Sequence, residues 1–182
     1  MVENTSYTEE FVMTAALDPG RPFTGSEREL LENTLTLNRR ELLRAVEHLS
    51  DTQPCERLVP SLTTPISLLK HCAAAERIWF QRTLAGTSID ACDGHAVGGD
   101  SSFHVPDNET LAEAITEYAA ACQRSNELTA GFELDDIVEH HIVGTVSLRF
   151  IYLGMIAETA RHAGHADILT EQIQAKQLYR ST

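Results

Sequence analysis

Hydrophobic side chains recur along this chain at steps of three and four residues, the spacing of an amphipathic helix. The pattern predicts four helices, over Glu27–Leu49, Pro65–Leu84, Asn108–Ala130 and from Ser147 to about Ala175. Few stretches alternate between apolar and polar residues as a half-buried strand does. Four amphipathic helices with little strand character predict an all-α protein with the architecture of a four-helix bundle.

Residues that begin and end helices support these boundaries. Ser26 and Glu29 have the S-x-x-E spacing of a capping box directly before the first helix. Thr64 is the predicted cap of the second helix, and the proline after it occupies the first helical position, where its missing amide hydrogen costs nothing. Asp107 is the predicted cap of the third helix.

The segments outside the helices suggest how the chain is organised. Residues 1–25 contain an Asp-Pro-Gly sequence that breaks a helix, so we predict an N-terminal arm followed by one bundle domain over residues 26–182. Thr87–Pro106 is unusually long for a connection in a small helical protein. It can span roughly 65 Å, against about 30 Å for a helix, and is predicted to cross back along the bundle. Phe132–Val146 fits either a short strand or an extended connection.

The apolar stripe of the last helix is interrupted by ionisable residues. Glu158, His162 and His165 occupy successive positions on its otherwise hydrophobic face. Burying such groups unpaired costs several kcal/mol, so they must be hydrogen-bonded, ion-paired or metal-bound. Glu158 and His162 are four residues apart and therefore lie on one side of the helix. His71 lies in the middle of the apolar face of the second helix.

Two interpretations of these residues are open at this point. In one, His71, Glu158 and His162 hold a metal, because glutamate and histidine on facing helices are common ligands in bundles. Three protein ligands leave a coordination position free, as in catalytic zinc sites. In the other, His71 is a hydrogen-bonded core histidine, and Glu158 pairs at the surface with Arg161 or His162.

Two further residues are candidates for the site. His165 is an alternative ligand. It could instead form a hydrogen bond to a metal ligand or transfer protons near the open coordination position. Arg149 lies in the first turn of the last helix, where the helix dipole disfavours a cation. It is therefore a candidate for binding an anionic group of a cofactor or a carboxylate; the alternative is plain solvent exposure.

Composition narrows the choice of partners. The net charge is −13, with 14 lysines and arginines scattered among 27 acidic residues. Nucleic acids and anionic membranes require clustered basic residues, so neither is expected as a partner. The chain has no membrane-length apolar run and no secretory signal, which predicts a soluble, cytoplasmic protein. Its four cysteines have no metal-type spacing and are predicted to be free thiols.

Three segments resemble the DUF664 branch of the DinB-like superfamily. They are TPISLLKHCAAAERIWF, SFHVPDNETLAEAITEYAAACQRSNEL and VSLRFIYLGMIAETARHAGHADIL, which begin at Thr64, Ser102 and Val146. The resemblance implies a DinB-like four-helix bundle with a long crossover between helices 2 and 3. Many members hold a metal with a histidine of helix 2 and two residues four apart on helix 4. Most have His-x-x-x-His there, whereas the mycothiol-dependent maleylpyruvate isomerase has Glu-x-x-x-His.

By this resemblance His71, Glu158 and His162 are the metal ligands, with Glu158 at the position where histidine is commoner. Zinc is the expected divalent metal, with nickel and iron as alternatives. Related enzymes are transferases and isomerases that use mycothiol or bacillithiol on small electrophilic molecules. The resemblance therefore implies a thiol transferase or isomerase, and the superfamily often forms homodimers. The alternatives are a metal-binding or stress-related protein without catalysis, and a metal-dependent hydrolase.

Overall fold

The computed structural model describes residues 23–50 and 52–180, with side chains up to Lys176. Within these residues the long helices are α1 (Glu27–Val46), α2 (Pro65–Glu76), α3 (Leu111–Thr129) and α4 (Leu148–Arg180). A π-helix, Arg77–Leu84, continues α2. The all-α prediction is confirmed. Most of the predicted N-terminal arm lies outside the described residues, so the division into arm and domain stays a prediction.

Helix caps confirm two of the predicted starts and correct the third. The amide of Ser26 donates to the Glu29 carboxylate, and the amide of Glu29 donates to the Ser26 hydroxyl, as a capping box requires. Thr64 caps α2. The prediction that Asp107 caps α3 is wrong: the cap is Thr110, which forms a reciprocal capping box with Glu113. Two hydrogen bonds at Thr110 satisfy more of the free backbone groups than a single cap does.

Helices α1 and α4 lie side by side and run in the same direction. The side-chain amide of Asn38 donates to the Ile156 carbonyl at 2.9 Å, and the Thr170 hydroxyl donates to the Ala45 carbonyl at 2.9 Å. Contacts that advance together along both helices show that the two are parallel.

Helices α2 and α3 are also parallel neighbours. Lys70 of α2 pairs at 2.7 Å with Glu109, which lies just before α3. Arg77, the first residue of the π-helix that continues α2, pairs at 2.7 Å with Glu117, which lies within α3. The end of α2 and the start of α3 therefore lie at opposite ends of the bundle. A tight hairpin cannot join two such ends, and the predicted crossover between them is confirmed.

The crossover returns along the surface of α2. Asp93 accepts from Arg77 at 2.7 Å, and the Ala96 carbonyl accepts from Arg82 at 2.6 Å. Gly94 lies directly against the Arg77 guanidinium. A Cβ at position 94 would lie only 2.5 Å from the Arg77 Cζ, so the contact leaves no room for a side chain. Two short 3₁₀ helices, Ile89–Ala91 and Gly99–Phe103, follow along this path. The second of these lies beside the middle of α2.

The hydrophobic core forms two clusters along the bundle. One combines the first half of α2 with the second halves of α1 and α4, and includes Leu42, Val46, Ile66, Leu69, Leu169 and Ile173. The other combines the end of α2 with the first halves of α1 and α4, and includes Leu35, Phe80, Leu148, Ile151 and Met155. This arrangement makes α2 antiparallel to both α1 and α4.

The segment before α4 is a small antiparallel hairpin of β1 (Ile137–His140) and β2 (Gly144–Ser147). It resolves the choice left open for this part of the sequence. The Nδ1 of His140 accepts hydrogen bonds from the amides of Ile142 and Val143 in the turn, and Trp79 stacks on the His140 ring.

Two other expectations can be compared with the structure. All four cysteines are free, as predicted. None of the helices in the described part of the chain is long and apolar enough to cross a membrane.

Candidate metal centre

Three side chains from two helices meet at one point of the bundle. His71 comes from α2, and Glu158 and His162 come from successive turns of α4. Glu158 Oε1 lies 2.9 Å from His71 Nε2 and 3.1 Å from His162 Nε2. One possible ligand atom from each residue lies within 4.8 Å of the other two. The antiparallel packing of α2 on α4 places His71 level with this turn.

The electrostatics of this cluster favour a charged Glu158. Hydrogen bonds from His162 and His71 hold the pKa of the Glu158 carboxyl well below its usual range. Its second oxygen, Oε2, accepts from Arg161 at 3.1 Å. The carboxylate therefore stays ionised and presents one oxygen to two imidazole nitrogens.

The crossover supplies further contacts to His71. The Ser102 hydroxyl lies 2.8 Å from His71 Nδ1, and the Phe103 ring stacks on the imidazole with centroids 4.2 Å apart. Neither Ser102 nor Phe103 was among the predicted site residues. The available signal was an aromatic side chain within a polar, glycine-rich segment, which indicates that the segment packs on the domain.

The cluster lies at the edge of the bundle and is partly open to solvent. The Glu158 side chain is 28% exposed, whereas the His162 side chain is 10% exposed. His165 lies on the exposed side of α4, with its ring centroid 5.4 Å from that of His162. A Cβ on Gly164 would meet no atom within 4 Å. A small molecule can therefore approach the cluster from this side.

Arg149 is not brought to the cluster. It lies nine residues before Glu158 on α4, which is about 13 Å along the helix. Its guanidinium pairs with Glu27 at 2.7 Å and also with Asp135. The structure thus places Arg149 in an ion-pair network that joins the starts of α1 and α4 to the segment before the hairpin. Its assignment to a cofactor stays a prediction.

A cavity of about 890 Å³ lies beside the cluster, at the start of α2 and under the crossover. Its lining includes Ser102 and Phe103, whose side chains touch His71, but none of the three possible ligand residues. The cavity and the cluster are therefore separate spaces that share one wall.

The residues present fit a divalent metal ion. Two imidazole nitrogens and a carboxylate oxygen converge, and this donor set is one that catalytic zinc sites use. The contact of His71 Nδ1 with Ser102 leaves Nε2 as the nitrogen that faces the other two donors.

The chain matches a known protein family. No curated protein matches the chain. The family described as Mycothiol-S-transferase matches residues 30–175, which include all three residues of the cluster. The match covers well over half of the sequence and confirms the resemblance to the DinB-like superfamily. The chain is a member of the mycothiol-S-transferase family.

Proposed function

We propose that this protein is a metal-dependent S-transferase that joins a low-molecular-weight thiol to a small electrophilic molecule. The observation that carries the proposal is the convergence of His71, Glu158 and His162. The name of the matched family favours mycothiol over bacillithiol as the thiol. Catalytic zinc sites use the donor set of two histidines and one carboxylate, and zinc is therefore the ion that we propose, with nickel and iron as alternatives.

The chain's own residues divide the work at this site. Glu158 and the Nε2 atoms of His71 and His162 would hold the ion, and Arg161 orients the carboxylate through its second oxygen. A divalent ion bound there lowers the pKa of a thiol that it ligates and so keeps the thiol in its nucleophilic form. Phe103 covers one face of the His71 ring and limits the access of water from the crossover side.

The reaction forms a bond between the thiol sulfur and the electrophilic carbon. In a substitution, the leaving group departs with its electron pair. In an addition to a double bond, the neighbouring carbon takes up a proton. His165 is exposed and close to His162, so we assign it the role of a proton donor or acceptor for these steps.

The test begins with metal analysis of protein purified without chelators, followed by assay of mycothiol conjugation to an electrophilic bimane. We expect about one zinc per chain and a conjugation rate that is lost in His162→Ala and kept in Arg124→Ala, because Arg124 pairs with Glu127 at the surface, away from the cluster. Metal without conjugation would indicate a binding protein, and ester or amide cleavage without thiol would indicate a hydrolase. Protein that neither contains nor takes up metal would contradict the proposal.

A further inference from the structure

We propose that Ser102 is a positioning residue that fixes the tautomer and the orientation of His71. This inference rests on the proposed role of His71 as a metal ligand. Ser102 belongs to the crossover and is 2% exposed. Its hydroxyl contacts the cluster at His71 Nδ1, the ring nitrogen that does not face the other two possible ligands.

The position of the Ser102 hydroxyl proton determines which hydrogen bonds this side chain can make. The Ser102 Oγ is 2.6 Å from the carbonyl oxygen of Gly99, which can only accept. A serine hydroxyl has one proton, and at this distance it is donated to Gly99. Toward His71 Nδ1, at 2.8 Å, Oγ can then only accept, so Nδ1 carries a hydrogen.

A protonated Nδ1 determines what the other ring nitrogen can do. Nε2 is then the ring nitrogen that can ligate a metal ion through its lone pair, because Ser102 occupies Nδ1. Nε2 lies 2.9 Å from the Glu158 Oε1 and so faces the other two possible ligands.

Backbone geometry and stacking hold this arrangement in place. Gly99 has φ +72°, in the left-handed region that favours glycine, and begins the 3₁₀ helix that places its carbonyl toward Ser102. Phe103 stacks on His71 with an interplanar angle of 12°. The stacking fixes the plane of the imidazole, and the hydrogen bond fixes its rotation within that plane.

The size of the effect follows from other metal sites. Loss of a hydrogen-bond partner behind a ligating histidine typically lowers metal affinity about 10- to 100-fold. Ser102→Ala removes the acceptor and leaves the Nδ1 hydrogen without its partner. Ser102→Thr keeps the hydroxyl. Ser101→Ala is the matched control, because Ser101 lies in the same 3₁₀ helix but contacts His95 and the Gly98 carbonyl.

Two measurements test the inference. Zinc affinity is measured by competition with a chromophoric chelator, and the presence of a hydrogen on His71 Nδ1 is read from the ¹⁵N shift of that nitrogen. We expect Ser102→Ala to bind zinc about 10- to 100-fold more weakly and to show mixed tautomers. Ser102→Thr and Ser101→Ala should resemble the parent in both measurements.

The outcomes separate this inference from the proposed function. If Ser102→Ala, still folded by circular dichroism, keeps the Nδ1–H tautomer and the parent affinity, the positioning role is refuted. A loss of affinity with an unchanged tautomer would also refute it. If the parent protein binds no zinc, the proposed function fails, while the ¹⁵N shifts still decide whether Ser102 sets the tautomer.

Discussion

The buried ion pair between α1 and α2 gives the sharpest prediction about stability. Arg39 donates to both carboxylate oxygens of Glu76, from Nε at 2.8 Å and from Nη2 at 2.6 Å. A third donor, Nη1, reaches Asn126 on α3 at 2.9 Å. Glu76 is 0% exposed and Arg39 is 6% exposed, so water cannot replace a lost partner. We predict that Glu76→Gln strongly destabilises the fold.

The magnitude follows from the burial of the remaining charge. Removing one partner of a buried ion pair typically costs about 3–5 kcal/mol, because the other charge is left uncompensated. Domains have a total free energy of unfolding of about 5–15 kcal/mol. For a chain of this size 1 kcal/mol corresponds to about 2–4 °C in melting temperature. Glu76→Gln should therefore lower the melting temperature by about 6–20 °C.

Urea unfolding of metal-free protein, followed by circular dichroism, measures the loss. Glu41→Gln is the matched control, because Glu41 pairs with Arg44 on the surface and exposed pairs contribute about 0–1 kcal/mol. The double variant Arg39→Met/Glu76→Leu should recover most of the stability, since it removes both charges. A loss below about 1 kcal/mol for Glu76→Gln would show that the buried arginine finds other partners, and the reasoning would be wrong.

Three more predictions concern the site, the hairpin and the thiols. His162→Ala should lose the metal, since it removes one of three ligands, whereas Glu158→His and His165→Ala should keep it. The measurement is the metal content of each variant after dialysis. A loss of metal in His165→Ala alone would show that His165 is a ligand. Acid should open the hairpin turn, because burial, with His141 and Arg82, lowers the pKa of His140, whose Nδ1 accepts two turn amides. The folded state favours neutral His140, so the contribution of His140 to the stability of the hairpin is fully present above the ordinary pKa of 6.5. It falls as the pH drops below 6.5 toward the lowered pKa of the folded state. Chemical shifts of the turn amides that do not change on acidification would contradict this prediction. Titration of denatured, non-reduced protein should find all four thiols free, and two or fewer would show that disulfides form.

The sequence determined the helices and much of their order. Helical periodicity and caps are local, because they depend on residues three or four positions apart. The pairing of Glu158 with His162 on one face of α4 is local in the same way. The crossover was predicted from the length of the connection Thr87–Pro106. The start of α3 was predicted wrongly because Asp107 and Thr110 both have side chains that can cap a helix. The structure has the cap at Thr110, which forms reciprocal hydrogen bonds with Glu113.

Only the tertiary structure decided which distant residues meet. The residues alone left open whether His71 meets Glu158, and the family resemblance predicted that it does. The packing of the core brings the two together, because it sets the register of α2 on α4. The contacts of Ser102 and Phe103 with His71 depend on the path of the crossover, across about 30 residues of chain. The sequence does not predict the ion pair of Arg39 with Glu76 for the same reason, because the two residues belong to different helices. Local patterns specify helices because their interactions lie within one or two turns, whereas the site depends on interactions summed over the whole core.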